Sequence, residues 1–320
     1  MNSILEKLEE IGIVPVVKIE DARNAVSLAK ALCDGGLPCA EVTFRTSAAA
    51  EAIGAMTRAY PEMLVGAGTV LTTEQADAAM DAGARFLVSP GLNPKVVQHC
   101  IGKGYPMVPG VATPSEVEQA LSLGLDVVKF FPAENAGGLS MIKAMSAPYA
   151  NLKFMPTGGI NAGNLNSYLD FPKIIACGGS WMVNADLINA GDFDAIRDLT
   201  RQAVEQMLGF AFVHIGINQP DEPAAKNTAD TVTGLFGFAQ RETSASYFAG
   251  GSLEIMKSIG AGSKGHIGIR TNYLFRAFAY LQRKGVKFNM DSARYDEKGR
   301  MKFIYLEDEI GGFAVHLVQK

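Results

Sequence analysis

Residues 105–132, YPMVPGVATPSEVEQALSLGLDVVKFFP, contain the repeating unit of the fold. The runs YPMVPG and VVKFFP are short, apolar and bounded by turn formers, as buried strands are. Between them TPSEVEQALSLG opens on Thr and Pro, spaces its apolar residues by helical turns and closes on glycine, the start and stop signals of a helix. Strand, helix and strand in so short a span make a parallel crossover unit. The second strand sets Lys129 in an apolar run, and that lysine needs an explanation.

Working outward, the same alternation fills the first 208 residues. Candidate strands are IVPVV (13–17), CAEVTF (39–44), LVGAGTV (64–70), FLVSP (86–90), YPMVPG (105–110), VVKFFP (127–132), FMPTGG (154–159) and IIACGGS (174–180). Helical stretches such as DARNAVSLAKALCDGG separate them. Eight strands alternating with helices predict a (β/α)8 TIM barrel, with a doubly wound open sheet as the alternative.

The chain of 320 residues exceeds one average domain, and 48% hydrophobic with 19% charged residues is ordinary globular composition. A net charge of -4 leaves no basic patch for a phosphate backbone, so nucleic acid is excluded as a partner. The start MNSILEKLEEIGIVPVV reads as an acidic amphipathic helix before a strand, unlike a signal peptide. No run approaches the ~18 apolar residues of a membrane span. The four cysteines, Cys33, Cys39, Cys100 and Cys177, have no metal-like spacing and read as reduced thiols of a cytoplasmic protein.

In a barrel, chemistry sits at the C-terminal ends of the strands. Glu41 and Arg45 flank the end of the second strand, Thr69 ends the third, Ser89 and Pro90 the fourth, Lys129 the sixth, Thr157 the seventh and Ser180 the eighth. Alternation puts Val127, Lys129 and Phe131 on one face. A lysine facing a barrel interior is desolvated, which favours the neutral amine that attacks carbonyls. The bland reading is a strand-end lysine that snorkels to water. Glu41 in the same interior would be a proton shuttle, or one half of a structural ion pair. The turns PTGGI (156–160) and CGGSW (177–181) follow the seventh and eighth strands, where barrels build phosphate sites from backbone N–H groups. One Gly-Gly is weak evidence; two at consecutive strand ends carry more.

The ordered segments VPVV, EVTFRT, VGAGTVL, SPGL, VPGVATPSE, VKFFPAE, FMPTGGI and CGGSW resemble the 2-keto-3-deoxy-6-phosphogluconate (KDPG) and 4-hydroxy-2-oxoglutarate (KHG) aldolases, over residues 1–208. The resemblance implies a cofactor-free class I retro-aldol cleavage of a 2-oxo-4-hydroxy acid, in a homotrimer. Lys129 would form the imine and Glu41 would move protons. Arg45 with Thr69 would hold the substrate carboxylate, and Thr157 would orient substrate oxygens. Gly158, Gly159, Gly178, Gly179 and Ser180 would cradle the phosphate, with Pro90 and Phe131 also against the substrate. The competing reading is a non-catalytic phosphosugar-binding or scaffold protein on the same barrel. Retention of Glu41, Arg45 and Lys129 together favours the enzyme.

Beyond FAFVHIGIN the pattern changes to short strands with one helix per half, a smaller α+β domain at residues 212–320 built from two βαβββ modules. No Pro/Ser-rich linker precedes it, so the sequence predicts domains packed together. Its segments HIGIN, LFGF, LEIMK, GHIGIRT, KGVKF and GGFAVHLV are similar to the glyoxalase/vicinal-oxygen-chelate superfamily. That resemblance implies a divalent transition metal held by His214, Glu254, His266 and His316. His316 stands where that superfamily more often has glutamate, which counts against glyoxalase I activity. Alternatively, these histidines line a cleft and the domain serves assembly.

Overall fold

Each apolar run of the first 180 residues supplies parallel strand. In the computed structural model, which describes residues 2–320, these are β1 (Ile13–Val17), β2 (Cys39–Thr43), β3 (Leu64–Gly68), β4 (Leu87–Val88), β5 (Met107–Val108), β6 (Gly110–Val111), β7 (Val127–Phe130), β8 (Lys153–Pro156) and β9 (Cys177–Gly179). They belong to the first of two compact units, Met1–Met207 and Leu208–Lys320.

The strands form a six-stranded sheet, β5-β4-β3-β2-β1-β9, and a three-stranded one, β6-β7-β8. Parallel bridges Phe154↔Ile174 and Thr157↔Gly178 continue from β8 toward β9. β5 and β6 are separated by Pro109 alone. The fifth sequence run is therefore two strands, because proline has no N–H to extend a ladder. Its carbonyl still serves: Pro109 O accepts from Lys129 N at 2.9 Å. The result is a curled parallel sheet. β2 and β3 are buried at every residue, as expected for parallel strands covered on both faces.

The intervening helices start where the sequence signals them. Pro114–Ser122 is capped by Thr113, whose side chain accepts from Glu116 N while Glu116 caps the Thr113 backbone in return. Asn93 and Thr72 cap Pro94–Gly102 and Thr73–Asp81 one way, their side chains accepting from Lys95 N and Gln75 N.

The second unit contains β10 (Ala211–Ile217), β11 (Gln240–Glu242), β12 (Ser246–Ala249), β13 (Leu253–Met256), β14 (Gly265–Thr271), β15 (Phe288–Tyr295), β16 (Met301–Leu306) and β17 (Phe313–Gln319). Helices Glu222–Phe236 and Leu274–Arg283 follow the first strand of each half. One mixed sheet runs β11-β12-β13-β10-β14-β17-β16-β15. Each half pairs its first strand parallel with its last, and β10 joins β14 antiparallel at the centre. The halves are thus related by an approximate two-fold between β10 and β14. Ala225 and Ala229 bring the first helix close to Tyr247, Ala249 and Ile255. β11, Gln-Arg-Glu, is absent from the sequence reading because it is a wholly exposed edge with no apolar alternation.

Candidate active site and histidine cluster

In the first unit, Lys129 on β7 and Glu41 on β2 meet. Nζ donates to Glu41 Oε1 at 3.3 Å; Lys129 is 5% exposed and Glu41 0%. The carboxylate has room there because residue 68 is glycine: a Cβ at Gly68 would lie 2.8 Å from Glu41 Cδ. Glu41 Oε2 has no partner, so one oxygen of a fully buried carboxylate is uncommitted. That is costly in a finished core and useful in a site that receives a polar reactant. Lys129 Nζ also lies over the Phe131 ring, 5.2 Å from its centre.

Phe131 belongs to the wall of a cavity of about 430 Å³. Arg45 and Thr157 line it, as do Gly158, Gly159, Gly178, Gly179 and Ser180. Lys129, Glu41, Thr69 and Pro90 are outside that lining, and the Lys129–Glu41 pair adjoins it through Phe131. The EVTFRT segment is pinned by Thr43 Oγ1 donating to Val17 O at 2.8 Å and Thr46 Oγ1 to Ile19 O at 2.6 Å. Exposed Arg45 is left facing the cavity. Thr69 adopts φ 57°, a left-handed conformation costly for a β-branched residue. Thr157 Oγ1 is buried without a partner.

The two Gly-Gly pairs differ. Gly158 and Gly159 form a bend after β8, at φ 100° and 83°. Gly178 and Gly179 lie within β9, in register with Val14 and Pro15, which corrects the expectation of a second turn. Their lack of side chains gives clearance: a Cβ at Gly178 would meet Thr157, and one at Gly179 the Trp181 ring. Glu134 packs under Gly159 and accepts a hydrogen bond from the buried Tyr168 hydroxyl. Lys18 also lines the cavity, 2.8 Å from Glu20. Sequence reading passed over it; its place just after β1, level with the other strand-end groups, was the available signal.

In the second unit, His214 (β10), Glu254 (β13), His266 (β14) and His316 (β17) converge. His214 Nε2 is 3.0 Å from His266 Nε2 and 3.1 Å from His316 Nε2. Glu254 Oε2 is 3.2 Å from His266 Nε2 and 3.5 Å from His214 Nε2. The repeat HIGI explains the fit. His214 is in register with Gly268 and His266 with Gly216, so each imidazole occupies the space left by the other half's glycine. Burial pushes His214 below the usual imidazole value, and burial with two neighbouring imidazoles pushes His316 down to about 3. Burial works to raise Glu254, but hydrogen bonds from His266 and Ser246 outweigh it and hold the carboxyl low. One Nε2 cannot satisfy two imidazole nitrogens at once, so the cluster is under-bonded as protein alone. The three imidazoles bring their ligand nitrogens within 4.8 Å of one another, with Glu254 beside His266 and His214, and such nitrogen donors are of the type that could hold a divalent transition metal.

The family described as "KDPG and KHG aldolase" matches residues 4–199. The 2-dehydro-3-deoxy-phosphogluconate aldolase of Treponema pallidum is 52% identical over 205 residues, 64% of this chain and 98% of that protein. The KHG/KDPG aldolase of Escherichia coli K12 is 42% identical over 193 residues, 60% of this chain and 91% of that protein. A KDPG aldolase structure from Legionella pneumophila, with pyruvate captured as a covalent carbinolamine, superposes with TM-score 0.60 at 38% identity. It covers 62% of this chain and 97% of its own.

Proposed function

Because the chain belongs to the KDPG and KHG aldolase family, we propose that Lys129 and Glu41 carry its class I chemistry beside the cavity of the first unit. The protein is a carbon–carbon lyase, cleaving 2-dehydro-3-deoxy-6-phosphogluconate to pyruvate and glyceraldehyde 3-phosphate and/or 4-hydroxy-2-oxoglutarate to pyruvate and glyoxylate. The Lys129 amine adds to the C2 carbonyl, and the carbinolamine loses water to an iminium. Glu41 supplies and removes the protons. When the C4 hydroxyl loses its proton, the C3–C4 bond breaks, the aldehyde leaves and the electron pair moves into the iminium as an enamine. Protonation at C3 and hydrolysis release pyruvate. Arg45 and Thr69 hold the carboxylate and Thr157 the substrate oxygens. Gly158 and Gly159 present N–H groups to the phosphate beside Gly178, Gly179 and Ser180, with Pro90 and Phe131 shaping the approach.

The observation that carries this reading is the buried 3.3 Å Lys129–Glu41 contact with one carboxylate oxygen uncommitted. Pyruvate plus borohydride should leave a reduced adduct on the peptide containing Lys129, and Lys129→Ala should abolish both adduct and turnover. Turnover retained in that variant would overturn the assignment. The parallel strand order, closing through β5, Pro109 and β6, supports a (β/α)8 barrel. Family likeness supports a homotrimer, and the four free cysteines a cytoplasmic setting. No helix among the described residues is long and apolar enough to cross a membrane.

The second unit reads as a glyoxalase/vicinal-oxygen-chelate-like domain, on the strength of its paired βαβββ halves. His214, Glu254, His266 and His316 would hold a divalent metal, which supplies a Lewis acid when bound. Elemental analysis of untagged protein after reconstitution tests this; less than about a tenth of an equivalent would leave an accessory role.

A further inference from the structure

The face of the second sheet that carries the histidine cluster continues past it to a cation without a partner. Along β14, His266, Gly268 and Arg270 alternate onto one face. Gly268 is in register with His214 on one side and His316 on the other. Arg270 therefore stands one pleat, about 7 Å, beyond the two imidazoles, within reach of its own long side chain. Its next neighbour across the sheet is Val318, itself in register with Phe303. Phe303 and Tyr305 complete this face: Tyr305 is in register with His316, and the Phe303 ring lies 4.5 Å from the His316 ring.

Arg270 is exposed, and its guanidinium has no ion pair or hydrogen bond among the described residues. The two-fold repeat provides an internal comparison. The matching residue of the first half, in HIGIN, is Asn218, whose side chain is consumed by Gly260 and Gly262. The fold thus does not require a cation at this place, and the half that has one leaves it free. Tyr305, whose ring lies 5.2 Å from the His316 ring, has no hydrogen-bond partner for its hydroxyl among the described residues, which leaves a donor on the same wall. The cluster's carboxylate offers Arg270 no competition, since Glu254 is engaged by His266 and Ser246.

We propose that this site takes a small two-part ligand: an oxygen-donor head for the metal at His214, Glu254, His266 and His316, and an anionic tail, carboxylate or phosphate ester, for Arg270. The proposal rests on the metal reading above. A guanidinium suits the tail because its planar fork binds either anion through two parallel hydrogen bonds. Tyr305 donates to the linking part of the ligand, and Phe303 gives that part an apolar wall. A 2-oxo acid with a distal anion meets this description. The molecules cleaved by the first unit are of that constitution, so both units of the chain would recognise one chemical class.

The test uses the full chain loaded with Co²⁺, its metal content measured, because the cobalt absorption band reports on the second unit alone. Pyruvate, 2-oxoglutarate and phosphohydroxypyruvate share a 2-oxo-acid head, and only the last two carry a distal anion. At least one of these two should perturb the band at a concentration tenfold or more below pyruvate. Arg270→Gln should retain its cobalt and its pyruvate affinity while losing that advantage. Equal affinity for all three probes, or an advantage that survives Arg270→Gln, overturns the proposal in a protein that holds cobalt. A protein that takes up less than about a tenth of an equivalent overturns the metal reading instead, and this proposal with it.

Discussion

Gly68 gives up its side-chain space to Glu41: a Cβ there would stand 2.8 Å from the carboxyl carbon that faces Lys129. The glycine is set by a neighbour on the adjacent strand rather than by its own backbone, since its φ is not left-handed. Gly68→Ala should therefore push Glu41 off the Lys129 amine. The expected result is a fall in kcat of about 10²-fold, the usual worth of a positioned acid–base group, with the circular dichroism of the fold unchanged. A kcat within twofold of the parent would show that Glu41 is not the proton carrier.

Gly159 combines φ 83° with close approach to Glu134, whose Cβ an added methyl would meet at 2.6 Å. Gly159→Ala should distort the bend that offers N–H groups to the phosphate. KM for the phosphorylated substrate should rise about tenfold, the effect of losing roughly one hydrogen bond to a charged group, while KM for 4-hydroxy-2-oxoglutarate changes less. Steady-state kinetics on the two substrates would decide it, and an equal rise on both would remove phosphate from the picture.

Lys18 lines the cavity within ion-pair distance of Glu20. A cation there adds long-range attraction for a dianionic phosphate at little cost to the fold. Lys18→Gln should lower kcat/KM for the phosphorylated substrate by about tenfold, as for a charge-assisted contact, and the loss should shrink with added salt. If the loss is the same at high and low ionic strength, Lys18 acts through shape alone.

The histidine cluster predicts a pH dependence in the metal-free protein. His316 is pushed from the ordinary imidazole value, about 6.5, down to about 3, mainly by burial. The unfolded chain then binds more protons than the native one throughout that window, so stability rises with pH. The contribution of a neutral buried His316 is complete above about 6.5 and is lost as the pH falls toward 3. Hydrogen exchange of β14 and β17 in the presence of chelator should accelerate between pH 6.5 and 4, and His316→Gln should flatten that slope. An identical slope in the variant would place the pH sensitivity elsewhere.

Much of this protein was legible from residue order because its signals are local. Buried parallel strands are continuous apolar runs, and helices between them carry their own caps, as Thr113, Pro114 and Glu116 do within four residues. Strand-end polar groups such as Glu41, Arg45, Lys129 and Thr157 stand out because water-seeking atoms are expensive inside apolar strands. In the second unit, the repeated order of strand, helix and further strands announced the doubled module. The weak signals were those whose meaning depends on a distant neighbour. Edge strand β11 looked like loop because no apolar face is needed where nothing packs. Gly178 and Gly179 looked like a turn, yet they are extended strand whose missing side chains make room for Thr157 and Trp181.

The sequence by itself determined the alternation of strand and helix, the halves of the second unit and the residue types available for chemistry, since periodicity and capping act over a few residues. Only the tertiary structure decided which of those residues meet. It set Lys129 against a carboxylate 88 positions away, split the fifth strand at Pro109, and put Lys18 on the cavity wall. It also left Arg270 free where Asn218 is bound. These outcomes depend on strand register and on space vacated by glycines in other strands, and a one-residue slip in register would turn each of these side chains to the opposite face.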